Sequence, residues 1–198
     1  QSVFQENTYI IMNNKDAVIL DPGDEPSRIC AYLDDKAVTV RGVLATHGHL
    51  DHVMAAASLC ERYACPFIMS GKDKELLENL ESMCGYFRTS YYGTPGITID
   101  IADQNEIVLG DIRIKILHTP GHTPGGVSFL TDSMLFSGDT LFRRSVGRTD
   151  MAGGDRRVLT ESVTRVLYPL PASTIVHPGH GPSTTIGEER AENPFIKA

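Results

Sequence analysis

Three histidines and one aspartate lie within six residues of one another, in the run Thr46-His47-Gly48-His49-Leu50-Asp51-His52. The run directly follows residues 38–45, a nearly continuous apolar segment that predicts a strand buried on both faces. It directly precedes residues 53–64, whose apolar spacing predicts a helix. Buried polar groups need partners, so this cluster cannot form an ordinary core. We therefore expect a loop at the end of a buried strand, with Gly48 letting the backbone pass close to a bound ion.

The residue types in this run indicate a site for divalent metal ions. Imidazole nitrogens and carboxylate oxygens are the ligands that such ions take from proteins. On a loop, His47 and His49 can point the same way, while Asp51 and His52 swing toward a neighbouring position. That arrangement suits two adjacent ions. A solvated histidine-rich loop or a pH switch is the simpler alternative.

Three further candidate ligands lie elsewhere in the chain, each on a turn that directly follows a predicted strand. They are His122, Asp139 and His180. Rigid strands can aim side chains on such turns into one cleft. Together with the first run they supply five histidines and two aspartates, enough for two metal sites. His118 and His177 remain, and we expect them to serve in packing or in support of the ligands.

The order of predicted elements is mixed α and β. Strands are predicted at 8–11, 17–20, 38–45, 66–69, 107–109, 112–117, 127–130, 134–136 and 174–176. Helices are predicted at 26–33, 53–64, 72–82 and 155–167, with a last one opening at the capping box Thr185–Glu188. Residues 83–96 are predicted to be irregular, and their four aromatic residues either line a substrate pocket or pack this loop onto the body.

The composition of the 198-residue chain narrows its expected partners. A formal net charge of −7 disfavours nucleic acid, because polyanion binding depends on lysine and arginine contacts to phosphate. No apolar run approaches the roughly 18 residues of a membrane-spanning helix, and Gln1–Phe4 lack the features of a secretion signal. We therefore expect a cytoplasmic protein that acts on a small molecule. The four cysteines lack CxxC spacing, which predicts free thiols that pack as small apolar side chains rather than redox groups.

Seven segments of the chain resemble the metallo-β-lactamase superfamily, and within it the short glyoxalase II-like hydrolases, the hydroxyacylglutathione hydrolase family. They are the run at 46–52 together with FQENTY (4–9), LDPG (20–23), TPGHTPG (119–125), SGDTLF (137–142), VGRTD (146–150) and HPGHGP (177–182). The resemblance covers nearly the whole chain. It implies an α+β fold, a four-layer αββα sandwich of two similar halves packed sheet to sheet, in one domain over residues 1–198.

The same resemblance implies how the candidate ligands are divided between two metal ions. His47, His49 and His122 hold one ion, Asp51, His52 and His180 hold the other, and Asp139 bridges the two. Imidazole and carboxylate ligands suit zinc, iron or manganese, and zinc is our expectation. Asp21 is implied to support the metal loop through hydrogen bonds without being a ligand.

The activity that the resemblance implies is hydrolysis of hydroxyacyl thioesters such as S-lactoylglutathione. Two ions that share a carboxylate can share a hydroxide, a nucleophile at neutral pH that attacks the thioester carbonyl, and Asp51 can orient it. Arg148 is the candidate contact to a substrate carboxylate, with a structural pair to Asp150 as the equal alternative. Longer glyoxalase II enzymes hold glutathione with an additional C-terminal helical region. Because this sequence ends at Ala198, we expect poor saturation by a glutathione thioester.

A different reaction class remains open within the same superfamily. Persulfide dioxygenases use one iron held by two histidines and one aspartate, which here correspond to His47, His122 and Asp139. Since all seven candidate ligands are present, the sequence does not separate this reaction from hydrolysis. A β-lactamase is disfavoured by the pair of Asp51 and His52, a flavodiiron protein by His49, and a nuclease by the acidic charge.

Overall fold

The computed structural model describes residues 4–197 of the chain. Its strands are Tyr9–Asn13 (β1), Asp16–Leu20 (β2), Thr39–Leu44 (β3), Phe67–Met69 (β4), Ile99–Asp100 (β5), Glu106–Leu109 (β6), Ile112–His118 (β7), Val127–Thr131 (β8), Met134–Gly138 (β9), Leu141–Phe142 (β10), Ser145–Val146 (β11), Ile175–Pro178 (β12) and Thr184–Thr185 (β13). Its α-helices are Pro26–Lys36 (α1), Leu50–Val53 (α2), Ala56–Tyr63 (α3), Lys74–Glu78 (α4), Leu80–Phe87 (α5), Arg156–Ser162 (α6) and Ile186–Glu192 (α7).

Two mixed sheets organise these elements. The first has the order β1-β2-β3-β4-β5, with β1 antiparallel to β2 and the other neighbours parallel. The second has the order β13-β12-β9-β8-β7-β6, in which the β12–β9 pair is parallel and the remaining pairs are antiparallel. β10 and β11 form a separate hairpin. Each half of the chain therefore contributes one sheet.

Three apolar clusters show that the sheets and helices stack in four layers. The central cluster joins the facing sides of the two sheets, for example Leu44 and Ile68 from the first and Phe129 and Ile114 from the second. A second cluster packs α1 and α3–α5 on the outside of the first sheet, and a third packs α6 and α7 on the second. The expected αββα sandwich is confirmed. Among residues 4–197, no helix combines the length and the apolar character needed to cross a membrane.

The sheets have two distinct ends. The loops after β3, β7, β9 and β12 lie at one end, because β9 and β12 are parallel and β7 runs antiparallel to β8, which runs antiparallel to β9. The turn at Asp132–Ser133, which joins β8 to β9, lies at the opposite end. There the Asp16 carboxylate accepts hydrogen bonds from Arg41 Nε at 2.7 Å and from the Asp111 amide at 2.7 Å. Asp16 thereby links the first sheet to the β6–β7 turn of the second.

Two predicted helices are broken in the structure. The helix predicted at 53–64 starts earlier and is interrupted: α2 covers Leu50–Val53, so Asp51 and His52 lie on a helical turn and not on the expected loop. The Ala55 amide then donates to Pro22 O at 3.0 Å instead of continuing the helix, and α3 begins at Ala56. The helix predicted at 72–82 becomes a 3₁₀ turn, Gly71–Asp73, followed by α4 and α5. These separate at Asn79, whose side-chain amide donates to Glu75 O at 2.8 Å.

Three further differences concern the ends of elements. The segment predicted as irregular from residue 83 is helical as far as Phe87, at the end of α5. The helix predicted at 155–167 ends in a π-helical turn, Val163–Leu167. The Thr185 hydroxyl caps α7 by accepting from the Glu188 amide, but the Glu188 carboxylate accepts from Thr184 instead of completing the capping box.

Candidate metal centre

The loop between β3 and α2 brings two histidines together with one from the second half of the chain. His47 Nε2 lies 3.0 Å from His49 Nδ1, which lies 2.9 Å from His122 Nε2. His122 is on the turn between β7 and β8, so this group spans the two sheets. All three side chains are buried. The structure thus places together the three residues that the resemblance assigns to one ion.

A second group forms where α2 faces the end of β12. Asp51 and His52 are on the first turn of α2, and His180 follows β12. His180 Nε2 lies 3.3 Å from Asp51 Oδ2, and His52 Nε2 lies 4.0 Å from the same oxygen. The ligand atoms of these three residues all lie within 4.8 Å of one another, as do those of the first group.

Asp139, directly after β9, lies between the two groups. Its Oδ2 is 3.5 Å from His122 Nε2 in the first group and 3.6 Å from His180 Nε2 in the second, and its Oδ1 is 3.4 Å from His52 Nε2. A carboxylate whose oxygens lie near imidazoles of both groups has the position of a ligand shared by two ions. All seven predicted metal ligands are therefore in one cluster.

Hydrogen bonds around the first group fix which imidazole nitrogens point inward with a lone pair. His122 Nδ1 lies 2.7 Å from Arg148 O, a carbonyl that can only accept, so Nδ1 carries a proton and Nε2 is the lone-pair nitrogen of the neutral ring. The Thr46 hydroxyl donates to Asp21, so it accepts from His47 Nδ1 at 3.0 Å, which leaves His47 Nε2 as a lone pair too. Neutral His49 carries a single N–H, so it cannot donate a separate hydrogen bond to each of these two lone pairs.

The electrostatics of the cluster also fit a cation. Burial lowers the pKa of His49 to about 4 and that of His47 well below its ordinary value, so both imidazoles are neutral at pH 7, the form that binds metals. Burial opposes ionisation of Asp139, but His52 and its neighbours hold the pKa of this carboxyl below its ordinary value. Within the described part of the chain, buried His49 Nε2 and Asp139 Oδ1 make no hydrogen bond. Two divalent ions would satisfy this donor set.

Asp21 supports the loop in the way that the resemblance implied. Its carboxylate accepts from the Thr46 amide at 2.6 Å and the Thr46 hydroxyl at 2.7 Å, and Oδ2 lies 3.0 Å from His52 Nδ1. These contacts orient both ends of the histidine run. Gly23 is needed beside it, because a Cβ there would lie 1.9 Å from Asp51 O.

Asp73 is a supporting residue that the sequence analysis missed. Its buried carboxylate accepts from the Gly48 amide at 3.1 Å, the Thr123 hydroxyl at 2.7 Å and the Gly125 amide at 2.6 Å. It therefore ties the histidine run of the first half to the His122 turn of the second. No separate signal marked Asp73, because an acidic residue in a predicted first helical turn is common.

Glu6 is the second supporting residue that was missed. Its backbone bridges to His180, and burial raises the pKa of its carboxyl to about 9, so it is uncharged at neutral pH. Its neighbour Asn7 donates its side-chain amide to Pro178 O at 3.1 Å and to Gly181 O at 2.8 Å. The only signal was its position in the FQENTY segment.

The remaining candidates lie at the edge of the cluster or outside it. Arg148 is exposed and makes a bidentate contact to Asp150, at 2.7 and 2.9 Å. The Tyr92 hydroxyl donates to Asp24 at 3.0 Å, which packs this part of the 83–96 segment onto the body. His118 bonds to Gln104 O and His177 stacks on Phe136, so these two histidines serve in packing.

Comparison with known proteins shows the family to which this chain belongs. Residues 2–185 match the Metallo-beta-lactamase superfamily. A protein of Haemophilus influenzae named hydroxyacylglutathione hydrolase GloC is 37% identical, over 100% of this chain and 95% of the relative. The structure resembles that of the B3 metallo-β-lactamase BLEG-1, with a TM-score of 0.92, 34% identity and coverage of 100% and 97% of the two chains. It also resembles TTHA1623 in a di-iron-bound form, with a TM-score of 0.89, 37% identity and coverage of 99% and 98%.

The chain belongs to the metallo-β-lactamase superfamily. With its cluster of histidines and aspartates positioned for metal binding, it is a metal-dependent hydrolase of that superfamily.

Proposed function

We propose that this protein is a binuclear thioester hydrolase, acting on hydroxyacyl thioesters of the S-lactoylglutathione type. The observation that carries the binuclear assignment is the position of Asp139, within 3.4–3.6 Å of histidines from both groups. One ion is assigned to His47, His49 and His122, the other to Asp51, His52 and His180, and Asp139 to both. The relative named hydroxyacylglutathione hydrolase supports the substrate class.

The chain's own residues prepare the site for this reaction. When bound, two divalent ions supply a nucleophile from water at neutral pH and polarise the carbonyl of the substrate. The Asp51 carboxylate stays ionised, because although burial opposes its charge, His52 and the hydrogen bond with His180 keep its pKa well below the ordinary value. It can therefore orient an attacking water by accepting its proton in a hydrogen bond. Arg148 O and Thr46 hold His122 and His47 in the ligating tautomer.

The reaction class can be tested with one set of assays on protein loaded separately with zinc, iron and manganese. We expect release of free thiol from S-lactoylglutathione, lost after treatment with a chelator and restored by metal. Oxygen uptake with glutathione persulfide in the iron form, without thiol release, would instead establish the mononuclear dioxygenase. Cleavage of a chromogenic β-lactam without thiol release would establish a lactamase. Asp139→Ala protein serves as the control for contaminating activity.

The substrate contact assigned to Arg148 has its own test. Its guanidinium offers the planar fork that suits a carboxylate, and in the structure this fork holds Asp150. We expect Arg148→Ala to lower kcat/KM by roughly tenfold, the effect of one charge-assisted contact. Asp150→Asn is the matched variant, because it frees the fork without removing it. If Arg148 binds substrate, the Asp150→Asn protein should have an unchanged or lower KM. If both variants instead lose the same stability and keep their kinetics, Arg148 and Asp150 form a structural ion pair.

A further inference from the structure

Two cysteines meet where α3 ends and the chain turns into β4. Ala64 has a left-handed conformation, with φ 49° and ψ 44°, and its amide bonds back to Glu61 O at 3.4 Å. The Cys65 amide bonds to Cys60 O at 3.2 Å. These two bonds define a Schellman motif, in which the side chains of the residue whose carbonyl accepts the outer bond and of the residue whose amide donates it frequently contact each other. In this chain both of these positions are cysteine.

The thiols of Cys60 and Cys65 are within hydrogen-bonding reach of each other and both are half-buried. The thiol of Cys60 lowers the pKa of Cys65, and the same contact raises the pKa of Cys60. Because the thiolate is the reactive form and this contact lowers the pKa of Cys65, we assign the first attack to Cys65. The 3.2 Å bond from the Cys65 amide to Cys60 O holds the backbones of the two residues close together while α3 stays intact, and a disulfide needs such proximity.

We propose that Cys60 and Cys65 form a reversible dithiol–disulfide site that reacts with low-molecular-weight disulfides. The Cys65 thiolate attacks one sulfur of the small disulfide, forming a mixed disulfide and releasing one small thiol. Cys60, after losing its proton, then attacks Cys65 sulfur and displaces the second small thiol. The two protein thiols are oxidised and the small disulfide is reduced to two thiols, so atoms and electrons balance. This assigns a redox role to residues that the sequence predicted only to pack.

The pair is separate from the candidate metal centre. α3 begins near the histidine run and ends at the opposite end of the first sheet, where β4 starts at Phe67. Among residues 4–197, neither cysteine belongs to a group of candidate metal ligands. The oxidised protein should therefore keep its full metal content. The proposal therefore stands or fails independently of the hydrolase function.

The sequence offers a direct test, because Arg62 is the tryptic site between the two cysteines. We would treat the native metal-loaded protein with 2-hydroxyethyl disulfide, block remaining thiols, and digest it without reduction. The expected product is peptide 42–62 joined to peptide 63–72, lighter than their sum by two hydrogens, and separated again by dithiothreitol. A neutral reagent is used so that no carboxylate-binding site contributes.

Matched variants decide between this pair and other thiols. A Cys30→Ser/Cys84→Ser protein should give the same linked peptide, and Cys60→Ser should accumulate the mixed disulfide on Cys65. Wild-type protein that carries two separate mixed disulfides on Cys60 and Cys65, with no linked peptide, would overturn the proposal. So would a link formed only between two protein molecules, detected as a dimer on a non-reducing gel.

Discussion

The two halves of the molecule supply their metal-facing side chains in opposite ways. The first half places four of them on one short run, between β3 and the first turn of α2. The second half takes His122, Asp139 and His180 from the ends of three different strands. The first arrangement is local, and it survives wherever the loop keeps its shape. The second depends on the order of β7, β9 and β12 in the sheet, so it is the half in which topology, rather than sequence proximity, builds the site.

The largest effect should follow from removing the residue that the second half contributes to both groups. Asp139→Ala takes one ligand from each ion, whereas His180→Ala takes one from a single ion. Because losing an outer-shell partner alone costs about 10–100-fold in metal affinity or activity, we expect Asp139→Ala to lose more than about 100-fold in hydrolysis. Elemental analysis after metal saturation should give close to two metals in wild type and clearly fewer in Asp139→Ala than in His180→Ala. Equal losses in the two variants would show that Asp139 does not bridge.

The next effect should come from Asp73, which joins the local half to the dispersed half. Asp73→Ala leaves the Gly48, Thr123 and Gly125 donors without their acceptor, at about 1–3 kcal/mol for each buried unpaired group. We expect an unfolding free energy lower by about 3 kcal/mol or more and metal affinity lower by about 10–100-fold. Exposed Asp103→Asn is the control. If metal affinity is retained while stability falls, Asp73 holds the fold but not the ligands.

A smaller effect is expected where α7 contacts the β10–β11 hairpin. Buried Glu189 accepts from the Arg144 amide at 2.9 Å and from Arg144 Nη1 at 3.2 Å, which holds the β10–β11 hairpin and its Phe142 beside His180. Breaking a buried pair costs roughly 3–5 kcal/mol, and the partial exposure of Arg144 puts Glu189→Gln toward the lower end.

The matched control for this variant is Glu161→Gln, which breaks the exposed i,i+4 pair with Arg157 and should cost within about 0.5 kcal/mol. Chemical denaturation of both variants measures the difference. In the Glu189→Gln protein KM should also rise, because Phe142, whose ring centre lies 6.1 Å from that of the candidate ligand His180, loses its fixed position beside the site. Similar stabilities for the two variants would mean that the hairpin is held by its apolar contacts alone.

The smallest effect should lie at the end of the sheets away from the site, where Asp16 links the two halves. The Asp111 amide and Arg41 lower the pKa of Asp16 below its ordinary value. A carboxyl with a depressed folded-state pKa stabilises the protein above its unfolded pKa of about 3.9, and this contribution is lost as pH falls through the folded value. Asp16→Asn should therefore be less stable than wild type at pH 7, with the two converging once the pH falls below the lowered pKa of folded Asp16. A difference that is constant with pH would assign the effect to packing.

The same contrast explains what the sequence could predict. The run from His47 to His52 predicted a metal site, because its histidines and aspartate are close in sequence and this combination is uncommon outside metal sites. His122, Asp139 and His180 were found only as turn residues after strands, and the resemblance was needed to group them. Asp73 and Glu189 escaped because their partners lie in distant segments, and a lone acidic residue in a helix carries no sign of what it will contact. The break at Ala55 was missed for the same reason, since its amide bonds to Pro22 in a distant loop.

The proximity of Cys60 and Cys65 was not predicted for a different reason. A Schellman motif is set by a left-handed residue, and Ala64 is an uncommon choice for that position. The helix predicted at 53–64 does end between Cys60 and Cys65, but nothing in the sequence indicated that Ala64 takes the left-handed conformation. That conformation turns the chain back on the helix end and brings the two cysteines together.

The separation of the two sheet ends also determines where a tag can be inserted into the protein. The Asp132–Ser133 turn is exposed, and Asp132 already has a left-handed conformation with φ 49°. It connects β8 to β9 on the side remote from every loop that carries a candidate ligand. Exposed loop tips of this kind tolerate inserted residues best. A biotin-acceptor peptide or a surface-coupling tag placed after Asp132 would anchor the protein to a support with its candidate metal centre directed into solution.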